Sequence, residues 1–355
     1  MSIARVFIKN FRLFKELDLD LNRDNLLVIG PNGSGKTSVL EAINLLISRK
    51  SVRTRDLKEC IKEGCEGFSL GLEIKNKKEL LTIKAAKQVN KRISIISKLG
   101  NSPATKGKLP IIQFIQAKDL RMIEGETELR RDFFNKTMFH VEHSSEIDYK
   151  NYKKALNQRN ISLKRKVSEK ELKVWNEALI ETGSILAEKQ KFFFESVFKK
   201  CMEEKSKKGV VKALFLNQIK VAIKKGWSEG VSFSQALVES AEKDRALGYT
   251  SVGPHRLDFK YVINNKVAKS FLSRGQQKLL IILSYFKFND VLMTANESGV
   301  IYLIDDITSE LDQENLAIVL EQAVELKAQL LITAIKGKSL SNMTPFLDKF
   351  RQLIL

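Results

Sequence analysis

Residues 30–37 read Gly-Pro-Asn-Gly-Ser-Gly-Lys-Thr, and no other stretch constrains the chain as tightly. They fit the pattern G-x-x-x-x-G-K-[ST] and lie between two legible elements. Asn25–Ile29 is a short continuous apolar run, the mark of a strand buried on both faces. The residues after the loop, Ser38–Ile47, space their apolar positions as an amphipathic helix does. A glycine-rich turn between such elements lets backbone N–H groups converge on phosphate oxygens with no Cβ in the way, and the helix N-terminus adds its dipole. Gly30, Pro31, Asn32, Gly33, Ser34, Gly35, Lys36, Thr37 and Ser38 are therefore candidates to hold a nucleotide's phosphates. Lys36 carries positive charge to the β- and γ-phosphates, and the Thr37 hydroxyl suits Mg²⁺.

A second run, Val300–Ile304, ends in Asp305-Asp306. Carboxylates at the C-terminal end of a buried strand lie where open α/β sheets bind ligands. Asp305 suits the Mg²⁺ shell, and Asp306, one residue on, suits orientation of an attacking water. Some 25 residues earlier, Ser273-Arg274-Gly275-Gln276-Gln277-Lys278 opens a long apolar-periodic helix expected over Leu279–Leu292. Small GTPases and simple kinases have no such element.

The rest of the chain alternates in character. Ala4–Ile8 and Leu17–Leu21 read as antiparallel strands, and Phe68–Ile96 as more of them. Gly100–Pro110 has loop chemistry. From Glu126 to about Lys205 Gly and Pro are almost absent, and apolar residues recur at three and four, so a helical lobe is expected. Tyr249–Ala268 returns to strand, with Asn264-Asn265 as a hairpin turn. Glu314–Leu326 reads as a helix and Gln329–Thr333 as a third buried strand. Cys60, Cys65 and Cys201 are too few for a disulfide framework and lack zinc spacing, so they read as reduced thiols of a cytoplasmic protein. No apolar run approaches a membrane span.

The formal charge is +19, and it is unevenly placed. Lys75–Lys108 is net +9, Lys150–Lys212 is net +9, and Glu297–Leu355 is net −4. Two basic segments opposed by an acidic one suggest a face for a polyanion, nucleic acid first. Lys87, Lys91 and Arg92, with Lys164, Arg165 and Lys166, are the candidates for DNA-phosphate contact, and each is as readily a solvated surface residue.

Taken together the motifs resemble a known group. Ser273 to Lys278 resembles the signature of ATP-binding-cassette ATPases, and Ser309-Glu310-Leu311-Asp312 the loop that crosses the same dimer interface. Phe11-Arg12-Leu13-Phe14, Ser51-Val52-Arg53-Thr54, Asp119-Leu120, Arg130 to Phe134, Gln158-Arg159-Asn160, Gly248-Tyr249-Thr250 and Gly253-Pro254-His255-Arg256 resemble, in this order, stretches of the SMC/RecF group of DNA-repair ATPases, and within it the RecF family. The resemblance spans residues 3 to 334. It departs at Leu257, where the family has Asp, at Arg274 inside the signature, and in the switch segment Leu-Leu-Ile-Thr333-Ala-Ile. Gln113 and Gln116 both remain candidates for the glutamine that senses Mg²⁺.

The resemblance implies an α/β fold, an ABC/SMC-type P-loop ATPase head made of residues 1–120 and 245–355, with a mostly helical lobe inserted at 121–244. It implies ATP and Mg²⁺ as ligands, and an ATP-dependent homodimer in which Ser273, Gly275 and Gln276 grip the partner copy's nucleotide. Asp306, Lys36 and Thr333 form the implied catalytic set; Thr37, Asp305 and Gln116 face the metal. It further implies slow, DNA-stimulated ATP hydrolysis and binding of single-stranded and duplex DNA at gapped junctions. RecR and RecO are the implied partners, and through them RecA is loaded in recombinational repair, replication restart and the SOS response. Two alternatives stand beside it: the nucleotide subunit of a membrane transporter, and a scaffold without turnover. His255 and Arg256 are readable as nucleotide-site residues or as structural ones; Trp175, Trp227 and Phe192 to Phe194 are readable as packing residues.

Overall fold

The computed structural model describes all residues except 76–78, 205–213 and 336–342, so the expected helical end at position 205 lies outside the described residues. The chain divides into two units, Met1–Leu120 with Ser273–Leu355, and Arg121–Leu272. The second boundary therefore falls at Leu272 and not at position 244, and residues 245–272 lie in the second unit. The cause is strand pairing: β10 (Asp258–Ile263) pairs antiparallel with β9 (Lys220–Lys224) and with β11 (Lys266–Val267). Asn264 and Asn265 make the β10–β11 turn with φ of 50° and 63°, the left-handed pair a two-residue hairpin turn requires.

In the first unit β1 (Ser2–Phe11), β2 (Phe14–Asp20), β4 (Gly67–Lys75), β5 (Leu80–Gln88), β6 (Ser94–Leu99) and β7 (Ser102–Pro103) form an antiparallel sheet in the order 2-1-4-5-6-7. A second sheet is parallel, in the order 14-3-13-12-8, from β3 (Asn25–Gly30), β8 (Ile111–Ile115), β12 (Val300–Ile304), β13 (Gln329–Ile335) and β14 (Phe350–Ile354). Between them runs α1 (Lys36–Ser48), which contacts β1, β4 and β5 on one side and β3, β8 and β13 on the other. The expected amphipathic helix is thus buried all round from Ser38 to Ile47, because two sheets cover it and neither face meets water.

Burial on all sides makes Glu41 of α1 costly, and the structure surrounds it with donors. Arg12 donates through Nε and Nη2 to the two Glu41 oxygens at 3.0 and 2.8 Å, and Ser51 Oγ donates to Oε1. Burial pushes the adjacent Cys60 thiol up to about 11, and the nearby Glu41 carboxylate adds to the effect. Two stretches that carried the family resemblance, around Phe11 and around Ser51, meet on this one carboxylate.

Leu279–Leu292 is broken into α9 (Arg274–Phe286) and α10 (Asn289–Ala295), and α11 (Gln313–Glu325) is the last α-helix among the described residues. The break falls at Lys287-Phe288, where the Phe288 amide reaches back to the Tyr285 carbonyl at 3.4 Å in a tighter turn before α10 begins. In the second unit α2 (Arg121–Glu124), α3 (Thr127–Val141), α4 (Ser144–Arg165), α5 (Glu169–Phe193), α6 (Lys199–Glu203), α7 (Phe233–Glu239) and α8 (Ala241–Leu247) accompany the small sheet. Phe193 and Phe194 are buried and Phe192 is exposed. Trp227 packs on Phe233 and donates to the Val231 carbonyl. Among the described residues no helix is long and apolar enough to cross a membrane.

Replacing Arg12 by Ala leaves the Glu41 charge buried without its cation, which costs about 3–5 kcal/mol. Urea unfolding reads this loss, and Arg12→Lys should recover part of it.

Candidate nucleotide-binding site

The loop between β3 and α1 is shaped by its glycines. A Cβ on Gly30 would lie 2.5 Å from Ser34 Oγ and 2.9 Å from the Leu355 carbonyl oxygen. Gly35 caps α1 with φ of 100°, and the Phe14 ring stands where its Cβ would be, at 2.9 Å. Pro31, Asn32 and Gly33 are exposed at the turn's crest. The Lys36 ammonium folds back over the loop and donates to the carbonyls of Gly30 and Pro31 at 2.9 and 2.8 Å. Ser34 Oγ is buried and has no hydrogen-bond partner. Ser38 is buried in the first turn of α1, its amide donating to the Gly35 carbonyl.

The acidic strand end comes to the same place. Thr37 Oγ1 stands 2.9 Å from each oxygen of Asp305 and donates to that carboxylate. The Asp305 amide donates to the Ile115 carbonyl, so Gln116, the next residue of the neighbouring edge, is level with Asp305. Gln113 pairs with Tyr302, deeper in the sheet. Of the two glutamines, Gln116 is the one at the carboxylate end. Its amide is fixed by Asp119 at 2.8 Å.

Thr333 is fully buried, and its hydroxyl works inside the protein. It donates to Asp305 Oδ1 at 2.8 Å and accepts from the Asp306 amide at 2.7 Å. It positions both aspartates through these bonds, which corrects its placement among groups that touch substrate. Asp306 stands in the left-handed region with φ of 51°.

Ser273 is exposed and caps α9 in a capping box, its hydroxyl accepting from the Gln276 amide while Gln276 Oε1 accepts from the Ser273 amide. Gly275 lies against the loop after the aspartates; a Cβ there would sit 2.9 Å from the Glu310 carbonyl oxygen. The signature and that loop form one surface of the same subunit.

The basic candidates divide. Lys91 and Arg92 are exposed in the β5–β6 turn, and Lys164, Arg165 and Lys166 are exposed at the end of α4. Lys87 is not available to DNA. It shares the inward parity of Leu81, Ile83 and Ala85, is 7% exposed, and its ammonium donates to the carbonyls of Gln88, Val89 and Lys91, closing the turn.

The second unit explains the remaining motifs. Arg159 Nη1 donates to Asp244 at 2.7 Å and to Thr250 Oγ1 at 2.8 Å, and Asn160 Oδ1 accepts from the Thr250 amide and hydroxyl. His255 Nδ1 lies 2.6 Å from the Tyr152 hydroxyl. Burial, with Arg256 nearby, lowers the His255 pKa to about 4, so the ring is neutral and structural. Arg256 lies over the Tyr249 ring. At Leu257, Arg131 takes the main-chain carbonyl, while Arg130 pairs with Asp258 at 2.7 Å. Apart from the Tyr249–Arg256 contact, these partners lie 85 to 128 residues apart in sequence, so no local pattern announces them.

A phosphate loop beside a carboxylate-bearing parallel strand, with a serine-capped signature helix, defines a cassette-type ATPase head. The chain matches the RecF/RecN/SMC N-terminal domain over residues 2–352. It is 30% identical over 349 residues to the DNA replication and repair protein RecF of Pasteurella multocida, covering 97% of this chain and 96% of the relative. It is also 30% identical over 351 residues to the RecF of Actinobacillus pleuropneumoniae, covering 97% and 94%. A solved structure of the recombination mediator protein RecF-ATPrS in the RecFOR pathway shares the fold, with a TM-score of 0.78 at 23% identity over 95% of this chain and 93% of that one. The chain belongs to the RecF family, and the transporter alternative is set aside.

Two measurements check this site. Thr333→Val strips the Asp306 amide of its acceptor and should cost about 1–3 kcal/mol in urea unfolding, with Thr333→Ser largely restoring it. His255 has a folded pKa below its unfolded value of 6.5, so its stabilising share is complete above pH 6.5 and fades as pH falls toward 4. The full difference is about 3 kcal/mol, and His255→Gln should flatten stability across that window.

Proposed function

We propose that this protein is an ATP-dependent, DNA-binding repair factor whose two copies close on ATP and reopen after hydrolysis. The observation that carries the reading is the meeting of Thr37 with Asp305 beside a loop holding an unpartnered buried hydroxyl, Ser34 Oγ. That hydroxyl, the glycine cradle and a lysine now bonded only to carbonyls fit a triphosphate, whose oxygens would replace the Gly30 and Pro31 carbonyls around Lys36. Thr37 and Asp305 fit Mg²⁺. Two protein oxygens leave the rest of an octahedral shell to phosphate and water, as this ion prefers. Bound there, Mg²⁺ would neutralise charge on the phosphates. Gln116, level with Asp305, is the residue best placed to feel it. Asp306 orients the attacking water, and Thr333 holds both aspartates in register.

Ser273, Gly275 and Gln276 would meet the partner copy's nucleotide, for which an exposed, capped helix start is suited. Lys91, Arg92, Lys164, Arg165 and Lys166 are proposed to hold DNA phosphates without reading sequence. The relatives are named as repair and replication proteins, and one is a recombination mediator in the RecFOR pathway. By that kinship we assign this chain to recombinase loading at single-strand gaps, with RecR and RecO as partners. The reaction is Mg²⁺-dependent hydrolysis of ATP to ADP and phosphate, weak until DNA stimulates it, in the cytoplasm.

Light scattering with ATP, ADP or no nucleotide, with and without gapped DNA across a salt series, tests the reading. Association should require ATP, and DNA affinity should fall steeply with salt. Lys36→Ala should lose ATP binding and pairing together, while Lys36→Arg should bind ATP but turn over at least about tenfold more slowly. Normal pairing and DNA binding by Lys36→Ala would falsify the switch.

A further inference from the structure

We propose that Lys278 is a positioning residue that couples the aspartate end of β12 to the start of the signature helix α9. The inference rests on the nucleotide reading above and deepens it. Lys278 lies in the second turn of α9 and is 5% exposed. Its ammonium donates to the Asp306 carbonyl at 2.6 Å, to the Ser309 carbonyl at 2.6 Å and to Ser309 Oγ at 2.8 Å. Three donors thus meet three acceptors, and none of the acceptors is a carboxylate. A buried lysine ordinarily pairs with an acid. Here Asp305, Asp306 and Glu310 act on it only at longer range, and burial lowers its pKa to about 8. Such a group is an unfavourable way merely to fill the space, since an apolar side chain would fit it without desolvating a charge.

The ammonium joins two elements, the signature helix and the loop after the aspartates. Asp306 is held from both ends: its amide by Thr333 and its carbonyl by Lys278. The Thr333 hydroxyl also binds Asp305, which in turn meets Thr37 of the phosphate loop. On the far side Ser309 Oγ donates to the Asp306 carbonyl at 3.1 Å, Arg274 pairs with Glu310, and Gly275 abuts the Glu310 carbonyl. A contiguous run of hydrogen bonds therefore leads from a subunit's own phosphate loop to the helix start it offers to a second copy. A shift of Asp305 on taking up Mg²⁺ reaches α9 through the Asp306 main chain and Lys278. The hydrogen bonds of this relay all lie within the first unit.

Hydrogen exchange on the full chain, at dilutions where light scattering reports monomer, tests the coupling without requiring a dimer. With Mg²⁺ and ATP the wild type should gain protection at residues 30–38 and change exchange at residues 273–280. Lys278→Met should keep the first response within about twofold and lose the second. Should that variant fail to fold, Ser309→Ala, which removes one acceptor, should weaken the α9 response while leaving the loop response intact. The coupling is wrong if α9 in Lys278→Met responds as in the wild type, or if wild-type α9 is silent while the loop is protected. It is equally wrong if loop protection, α9 response and melting temperature decline together, the pattern of a merely structural lysine. Absence of loop protection in the wild type instead sinks the nucleotide reading. A wild type that never pairs sinks the dimer while leaving the coupling standing.

Discussion

One helix enclosed by two sheets sets the position of everything else in the first unit. With α1 covered on every side from Ser38 to Ile47, its N-terminus can emerge only at the carboxyl end of the parallel sheet, where β3 delivers the phosphate loop. The same sheet brings β12 and β8 to that end in parallel register, so Asp305 reaches Thr37 and Gln116 arrives level with Asp305 from distant stretches of chain. The antiparallel sheet contributes from the opposite side, its Phe14 ring closing over Gly35. The site is a consequence of burial before it is a consequence of recognition.

Enclosure has a price in polarity. A helix with no wet face must satisfy every polar group it carries, and Glu41 is satisfied by Arg12 and Ser51, residues of otherwise unrelated stretches. The second unit shows the same arrangement with Arg159, Asp244, Thr250 and Asn160. Removing either partner of such a pair strands the other in a low dielectric.

Local pattern made several parts legible. The loop from Gly30 to Thr37, the aspartates after Val300–Ile304, the helical stretch after Glu126 and the Asn264-Asn265 turn all depend on neighbours a few residues away. Elements whose identity depends on distant pairing were missed. β14 is half exposed and reads as a strand only because it hydrogen-bonds to β3, and β8 carries Gln113 inside what would otherwise be an apolar run. Leu279–Leu292 is apolar-periodic on both sides of the Lys287-Phe288 turn, so periodicity alone does not show the break between α9 and α10.

The sequence alone determined the chemistry available: a phosphate cradle, a hydroxyl and a carboxylate for a divalent cation, and an excess of positive charge. Those follow from residue type and short spacing, which folding does not alter. Only the tertiary structure decided which of these groups face outward and which are consumed internally. Lys87 turned inward to close its own hairpin, Thr333 to join two aspartates, Lys278 to bridge a helix and a loop, and His255 to meet Tyr152. In each case the partner lies on another element or across a turn, and a side chain's direction is set by the packing that surrounds it, which composition and periodicity do not encode.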